Sequence, residues 1–212
     1  MTRVDGRVER GNRTRQLVLR RTVDIASVEG LEALTVGRLA AELELSKSGV
    51  FALFGSKQEL QLATIREAAR IYTERVLRPA AQTPPGLGRV WRLCELWLEY
   101  SRGRVFPGGC FFYGAMAEYD ARTGPVHDAV VRAQRDWSAH VERTIDEARA
   151  AGELRAGTDV GQLAFEVVAL LETANALSVL HDEESAYRRA RVGIAARLRD
   201  VAVDGVPLPH VT

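Results

Sequence analysis

The sequence predicts an all-α protein of about nine helices, for three reasons. Apolar residues recur at three- and four-residue steps, no useful length of chain alternates with the two-residue period of a strand, and glycine–proline clusters cut the chain into helix-sized pieces. The most informative piece runs from Thr35 to Lys57, TVGRLAAELELSKSGVFALFGSK. Val36, Leu39, Ala40 and Leu43 fall at i, i+3, i+4 and i+7, one face of a helix. Ser46 then stands at an N-cap position, where its hydroxyl can accept a bond from a backbone N–H of the next helix. That next helix, Lys47 to Leu53, is small and polar at its tip, with apolar Val50, Phe51 and Phe54 further along. Ala40 is small where the two helices must cross, and Val50 is a compact plug for the same junction. Two short helices joined by a tight turn describe a helix-turn-helix, whose second helix enters the DNA major groove. A helical hairpin of no special function shares the bare pattern. Ser56 caps a third helix, and Lys57 and Gln58 in its first turn sit beside free N–H groups that favour a phosphate.

The remaining elements follow in order. The helix capped by Ser56, the fourth of the chain, runs to about Leu77, with Leu62, Ile65, Ala69, Tyr72 and Val76 on one stripe, and stops before Pro79. After the break at Pro84-Pro85-Gly86, Leu87 to about Arg104 carries Trp91, Leu93, Cys94, Trp97 and Tyr100. Pro107-Gly108-Gly109 interrupts again, and Cys110 to Met116 opens a short helix that fades at Thr123-Gly124. Pro125 suits a first helical position, and Val126, Val130, Ala133, Trp137, Val141, Ile145 and Ala148 form a long stripe ending near Gly152. Asp159 caps Val160 to about His181, and Glu184 to about Val201 follows with Tyr187, Ala190, Ile194, Leu198 and Val201 aligned. The tail from Gly205 reads as loose. There are no repeats and no low-complexity segment.

Composition narrows the function classes. The 212 residues are 46% hydrophobic and 27% charged, which is globular, and the net charge of +1 says nothing about nucleic acid. Its distribution does. Residues 1–21 hold seven arginines against Asp5 and Glu9, a local net of +5. Such an arm, here residues 1–12 leading into the helical domain, suits phosphates or a minor groove; a disordered solubilising tail is the alternative. The charged N-terminus carries no apolar core for a secretory signal. Glu166, Glu172 and Asn175 interrupt the greasiest segment, Leu163 to Leu180, and argue against a membrane span. Two cysteines, Cys94 and Cys110, suit a reducing cytoplasm and exclude a disulfide framework; packed thiols are the plain reading and a redox pair the other. No phosphate loop, metal-ligand spacing or Gly-x-Ser-x-Gly is present. No catalytic residue, metal or cofactor is therefore expected. A thiol–imidazole pair of Cys110 with His127 or His140 is the single enzymatic alternative, and the spacing does not require it.

From about Thr14 to Leu62 the chain resembles the N-terminal domain of the tetracycline-repressor (TetR) family of transcriptional regulators. The matching residues are Gly30, Leu34-Thr35-Val36 and Leu39-Ala40, then Ser46-Lys47-Ser48-Gly49 at the recognition-helix start, then Phe51, Phe54 and Ser56-Lys57. Three departures stand out. Glu44 occupies a turn position where the family usually has Gly and the backbone is left-handed, at a cost of about 1 kcal/mol. Phe51 replaces the usual Tyr and Leu53 the usual His or Tyr, each removing a donor that in the family commonly bonds a phosphate.

The resemblance implies a three-helix DNA-binding domain over residues 13–58 and a helical ligand-binding and dimerisation domain over 59–204, followed by the tail 205–212. The expected DNA-facing residues are Thr35, Arg38, Ser46, Lys47, Ser48, Gly49, Phe51, Ala52 and Lys57, with Arg13 and Arg15. Lys47 and Ser48 are placed for base edges; Thr35, Arg38, Lys57 and the two arginines are placed for phosphates, although Thr35 is equally a plain N-cap. Val160 to His181 is apolar around most of its circumference, so it needs cover either from a second copy or as a core helix. Family members are typically homodimers whose last two long helices pack across a twofold axis, which places Phe165, Val168, Leu171, Tyr187, Ile194 and Leu198 at the interface and predicts an inverted-repeat operator on double-stranded DNA. Aromatic and sulfur residues concentrate between Trp91 and Tyr119, with Trp137 opposite. Pockets for small apolar or aromatic molecules are lined in this way, as are ordinary cores. The family's inducer pocket falls in this region, and Trp91, Trp97, Tyr100, Phe106, Cys110, Phe111, Tyr113, Met116 and Trp137 are its candidates, with Glu95, Glu118, Tyr100 and Tyr113 as polar contacts. The expected function is ligand-responsive repression; an architectural DNA-binding protein without ligand is the alternative.

Overall fold

Helices end against a residue of positive φ at Gly30, Glu44, Gly55, Gly152 and Asp182. The structure, a computed structural model, describes residues 6–208, with the side chains of residues 6–10, 12 and 13 outside that description. Nine α-helices stand among the described residues: α1 (Gly6–Glu29), α2 (Val36–Glu42), α3 (Lys47–Phe54), α4 (Lys57–Tyr72), α5 (Leu87–Arg102), α6 (Phe111–Tyr119), α7 (Pro125–Ala150), α8 (Val160–His181) and α9 (Ser185–Val201). A 3₁₀ turn, Leu31–Ala33, lies between α1 and α2. Extended pairing among the described residues is confined to a Leu154–Ala202 bridge. The expected all-α class holds.

Two local expectations change. Residues 6–12 of the expected arm are the first turns of α1 rather than a flexible leader, while residues 1–5 lie outside the described residues. The fourth helix does not stop before Pro79. It passes through a π-helical turn, Thr73–Leu77, and continues over Arg78–Ala80. In a regular helix the Pro79 ring would strike the carbonyl four residues back. The wider turn, in which the Arg78 N–H donates to the Thr73 carbonyl, absorbs that conflict.

The chain forms two compact units, and they are not the two consecutive blocks that meet at 58/59 in the sequence reading. The first holds the described chain up to Arg70 together with Phe106–Val131, and the second holds Ile71–Val105 and the chain from Arg132. In the first unit, α1–α4 surround a core that includes Val18, Val23, Leu31, Leu34, Leu39, Val50 and Leu60, all fully buried. α6 packs on α1 in this same unit. The approach is close at Gly108, whose N–H donates to Ser27 Oγ at 3.1 Å. A Cβ at that position would lie 1.8 Å from the Ser27 carbonyl oxygen, so only glycine fits.

In the second unit α8 and α9 pair with each other and both pack on α5. Leu93, Trp97, Leu163, Val167, Leu171, Ile194 and Leu198 fill the space between them. A buried polar group pins the three helices together: Ser101 Oγ donates to Asn175 Oδ1 at 2.8 Å and meets Tyr187 Oη at 3.0 Å, and Ser178 Oγ lies 2.7 Å from the same phenol. Mutual satisfaction makes such a group a register-setting feature rather than a cost. The Glu153 carboxylate accepts from the Leu87 N–H at 2.6 Å and so caps α5.

Gly108→Ala is expected to destabilise by about 2–4 kcal/mol, because backbone must move to admit the methyl. Gly114→Ala, inside α6 with open space around it, is expected to stabilise by about 0.5–1 kcal/mol. Urea unfolding of the two variants distinguishes close approach from simple helix propensity.

Candidate nucleic-acid interface

The helix-turn-helix is built by three caps and one left-handed residue. Thr35 Oγ1 accepts from the Arg38 N–H at 3.1 Å and starts α2. Glu44 takes φ +53°, as expected for the position where the family carries glycine. Before it the Leu43 N–H makes a last helical bond to the Leu39 carbonyl at 3.0 Å, and after it the Leu45 N–H reaches back to the Ala40 carbonyl at 2.9 Å, the 6→1 bond that closes a helix at a left-handed residue. Ser46 then accepts from the Gly49 N–H at 3.0 Å and starts α3, and Ser56 accepts from the Glu59 N–H at 3.1 Å at the start of α4.

α3 divides cleanly into two faces. Val50 and Phe54 are buried, as are Leu39 and Ala40 of α2. Lys47, Ser48, Gly49, Phe51 and Ala52 are exposed, and Phe51 is 55% exposed despite its apolar ring. The Lys47 stem lies over Gly37, where an added Cβ would stand 3.6 Å from Lys47 Cε.

The cations expected to hold phosphates are arranged differently from the sequence reading. The Arg38 guanidinium forks onto the Glu29 carboxylate and also faces Glu42 at 3.9 Å. The hydrogen bond to Arg38 holds the Glu29 carboxyl below its ordinary range. Lys57 donates to the Glu32 carbonyl at 2.8 Å and to its carboxylate at 2.7 Å. Arg15 stacks over the Phe54 ring at 5.1 Å, and Arg21 pairs with Glu42. The Arg13 side chain lies outside the described residues. Linear spacing could not reveal these ties, because Glu29 and Glu32 come from other elements than the cations they hold.

Glu32 is the centre of this unit. Besides Lys57 it accepts from Tyr119 Oη at 2.7 Å and Gln61 Nε2 at 3.1 Å, with Arg122 at 3.4 Å. The Lys57 hydrogen bond, followed by that from Tyr119, pulls its carboxyl down to about 2. Burial and then the Glu32 carboxylate push the Tyr119 phenol up. Glu118, expected as a ligand contact, instead accepts from the Leu31 and Glu32 N–H groups at 2.7 and 2.9 Å and caps the 3₁₀ turn.

The expected aromatic pocket residues fall into separate groups. In the first unit Phe106, Phe111 and Phe112 pack edge to face or tilted, Cys110 is buried just before α6, and Tyr113 and Met116 are half-buried. In the second unit Tyr72 meets Tyr100 at 5.3 Å and Trp137 at 5.5 Å, and Trp97 meets Tyr100 at 6.3 Å. Tyr72 was read only as a helix-stripe residue; nothing in its local pattern signals the two aromatic partners that the fold brings to it. Arg191 covers Trp91 at 6.0 Å and bonds Glu95 at 2.6 Å, so Glu95 is tied as well. Burial pushes the Cys94 thiol up to about 12. His127 Nδ1 lies 2.9 Å from the neighbouring Asp128 carboxylate.

Of the six expected interface residues, Val168, Leu171, Tyr187, Ile194 and Leu198 are buried inside their own chain, between α8, α9 and α5. Phe165 is 70% exposed. It begins an outward stripe through Ala169, Thr173 and Leu180 on α8, with Val192 and Ala196 exposed on α9. Helical period identified which positions are apolar, but not whether the neighbour is the same chain or another. By length and composition alone α8 would also suffice to cross a membrane; here its apolar residues divide between core and outward stripe.

Glu32→Gln tests the hub. A depressed carboxyl contributes stability that is present above its ordinary pKa of 4.5 and lost as pH falls towards about 2. With the Glu32 side chain 44% exposed, solvent screening limits the cost of the substitution at neutral pH to about 1 kcal/mol. The gap between parent and variant in urea midpoint should narrow between pH 4.5 and 2.5; a constant gap contradicts the assignment.

Comparison with known proteins agrees with this geometry. Residues 18–64 match the family of bacterial regulatory proteins, tetR family, and residues 86–194 match the tetracyclin repressor-like C-terminal domain. No curated protein matches the chain. Among solved structures, a TetR transcriptional regulator from Chloroflexus aurantiacus is 22% identical, with a TM-score of 0.84 over 92% of this chain and 98% of that one. A transcriptional regulator from Saccharomonospora viridis, in complex with choline, is 17% identical, with a TM-score of 0.76 over 91% and 99%. AibR, in complex with isovaleryl coenzyme A and operator DNA, is 15% identical, with a TM-score of 0.65 over 85% and 95%.

Proposed function

This chain belongs to the tetR family of bacterial transcriptional regulators, and on that premise we propose that it is a homodimeric repressor released from an inverted-repeat operator by a small apolar or aromatic molecule. The observation that carries the reading is the outer face of α3, where Lys47, Ser48 and Gly49 stand exposed at the helix tip while Val50 and Phe54 anchor the other side. A recognition helix reads base edges with such N-terminal residues. Thr35, Arg38 and Lys57 flank it as phosphate contacts. Arg38 and Lys57 reach a phosphate by exchanging an internal carboxylate for it, so their net gain is smaller than that of an unpaired cation.

Effector binding is supported by the Tyr72, Tyr100, Trp97 and Trp137 group, since aromatic walls suit apolar or aromatic guests. Relatives of this fold hold ligands as different as choline and isovaleryl coenzyme A, so the fold does not specify the guest. Burial of both cysteines, Cys110 of the thiol–imidazole alternative included, supports a binding protein over a thiol enzyme.

Selection of genomic fragments by the purified protein, at two salt concentrations, is the test. An enriched inverted repeat supports the reading, salt-sensitive binding without a motif replaces it with an architectural role, and no binding removes it. Lys47→Ala should weaken operator binding about 5- to 100-fold and relax the preference at one base position.

Dimerisation uses the outward stripe of α8 and α9 rather than the buried residues between them. Phe165→Arg should yield monomers by sedimentation, with a melting temperature that is lowered by the lost association and no longer depends on protein concentration, whereas Leu171→Ala should cost about 2–5 kcal/mol of stability as an ordinary core truncation.

A further inference from the structure

Lys47, Ser48, Phe51 and Ala52 are spaced i, i+1, i+4 and i+5 and therefore share one face of α3. All four are exposed, but the face is not uniform. Its N-terminal half is polar, and its C-terminal half is an aromatic ring, 55% exposed, beside a methyl group. The neighbouring aromatic, Phe54, is buried under Arg15, so exposure at Phe51 is not a general looseness of the helix. Phe51 has no hydroxyl and cannot donate to a phosphate. With no described cation over it, as Arg15 lies over Phe54, its ring gains most from being covered by an apolar surface. In the major groove the one apolar feature of the base edges is the C5-methyl group of thymine.

We propose that Phe51, with Ala52 beside it, reads the C5-methyl of a thymine in each operator half-site, while Lys47 supplies the polar contact one turn towards the helix tip. The assignment rests on α3 being the recognition helix. It makes Phe51 a determinant of sequence rather than a backbone anchor, and gives the half-site a thymine adjacent to the base pair that Lys47 approaches.

The test uses the full-length protein and the operator duplex recovered by fragment selection, with each thymine replaced in turn by deoxyuridine. That replacement removes the methyl and leaves every hydrogen-bonding edge unchanged. One position per half-site should weaken binding about fourfold, and the symmetric double replacement about fifteenfold, the worth of one and two buried methyl-sized groups. Phe51→Ala should bind the thymine and uracil duplexes equally. Its circular dichroism should match the parent, since an exposed side chain is removed. The proposal is overturned if no replacement changes affinity, if the operator has no thymine in its half-sites, or if the uracil penalty persists undiminished in Phe51→Ala. Binding of a motif with a silent uracil scan would leave the DNA-binding reading standing and remove this one alone. Failure to enrich any fragment would remove both.

Discussion

Around the apolar core of the first unit, the Glu32 carboxylate is the polar junction at which its elements meet. It joins the 3₁₀ turn after α1 to Lys57 at the start of α4, to Gln61 one turn later, and to Tyr119 at the end of α6. An acid with one strong partner on a surface contributes little. One that accepts from an ammonium, a phenol and an amide from three directions removes freedom from each of the elements that supply them. Glu118 acts one residue earlier in α6, where its carboxylate satisfies the two N–H groups at the start of the turn. Two consecutive side chains of α6 thus engage the segment that leads into the helix-turn-helix. That is why a helix distant in sequence is part of the same compact unit as α1–α4.

The acids also temper the positive charge. The arginine-rich start of the chain suggests a strong phosphate-binding arm, but Arg21, Arg38 and Lys57 are each held by a glutamate of their own unit. Such a surface has less electrostatic attraction for phosphates than a count of cations suggests. An internal carboxylate that competes with phosphate disfavours weak, sequence-independent attachment, which is the same physics as unlike pairing elsewhere in recognition.

α8 shows how one hydrophobic helix serves two purposes. Leu163, Val167 and Leu171 complete the core with α9 and α5, and Phe165 and Leu180 point away from it. The ion pair between Glu166 and Arg197 further links α8 to α9 within the chain. The exposed Phe165 and Leu180 of α8 and Val192 of α9 are apolar side chains left without cover in the chain itself.

Local chemistry was sufficient for the all-α class and for the caps at Thr35, Ser46, Ser56 and Asp159, because each depends on residues within one or two helical turns, whereas the left-handed turn at Glu44 followed from the family resemblance. The same holds for the buried stripe of Tyr187, Ala190, Ile194, Leu198 and Val201, which follows from helical period alone. What lay beyond the sequence was every assignment that required a partner from elsewhere in the chain. Period marks Leu171 and Phe165 as equally apolar, and only the packing of α9 and α5 decides that one is core and the other exposed. Charge marks Arg38 and Lys57 as equally available, and only the fold brings Glu29 and Glu32 against them. Proline predicts a break at residue 79, and only the tertiary setting of the helix lets a π turn carry it through. The physical reason is common to all three: a side chain's character is local, whereas the neighbour that uses it is chosen by the closing of the chain.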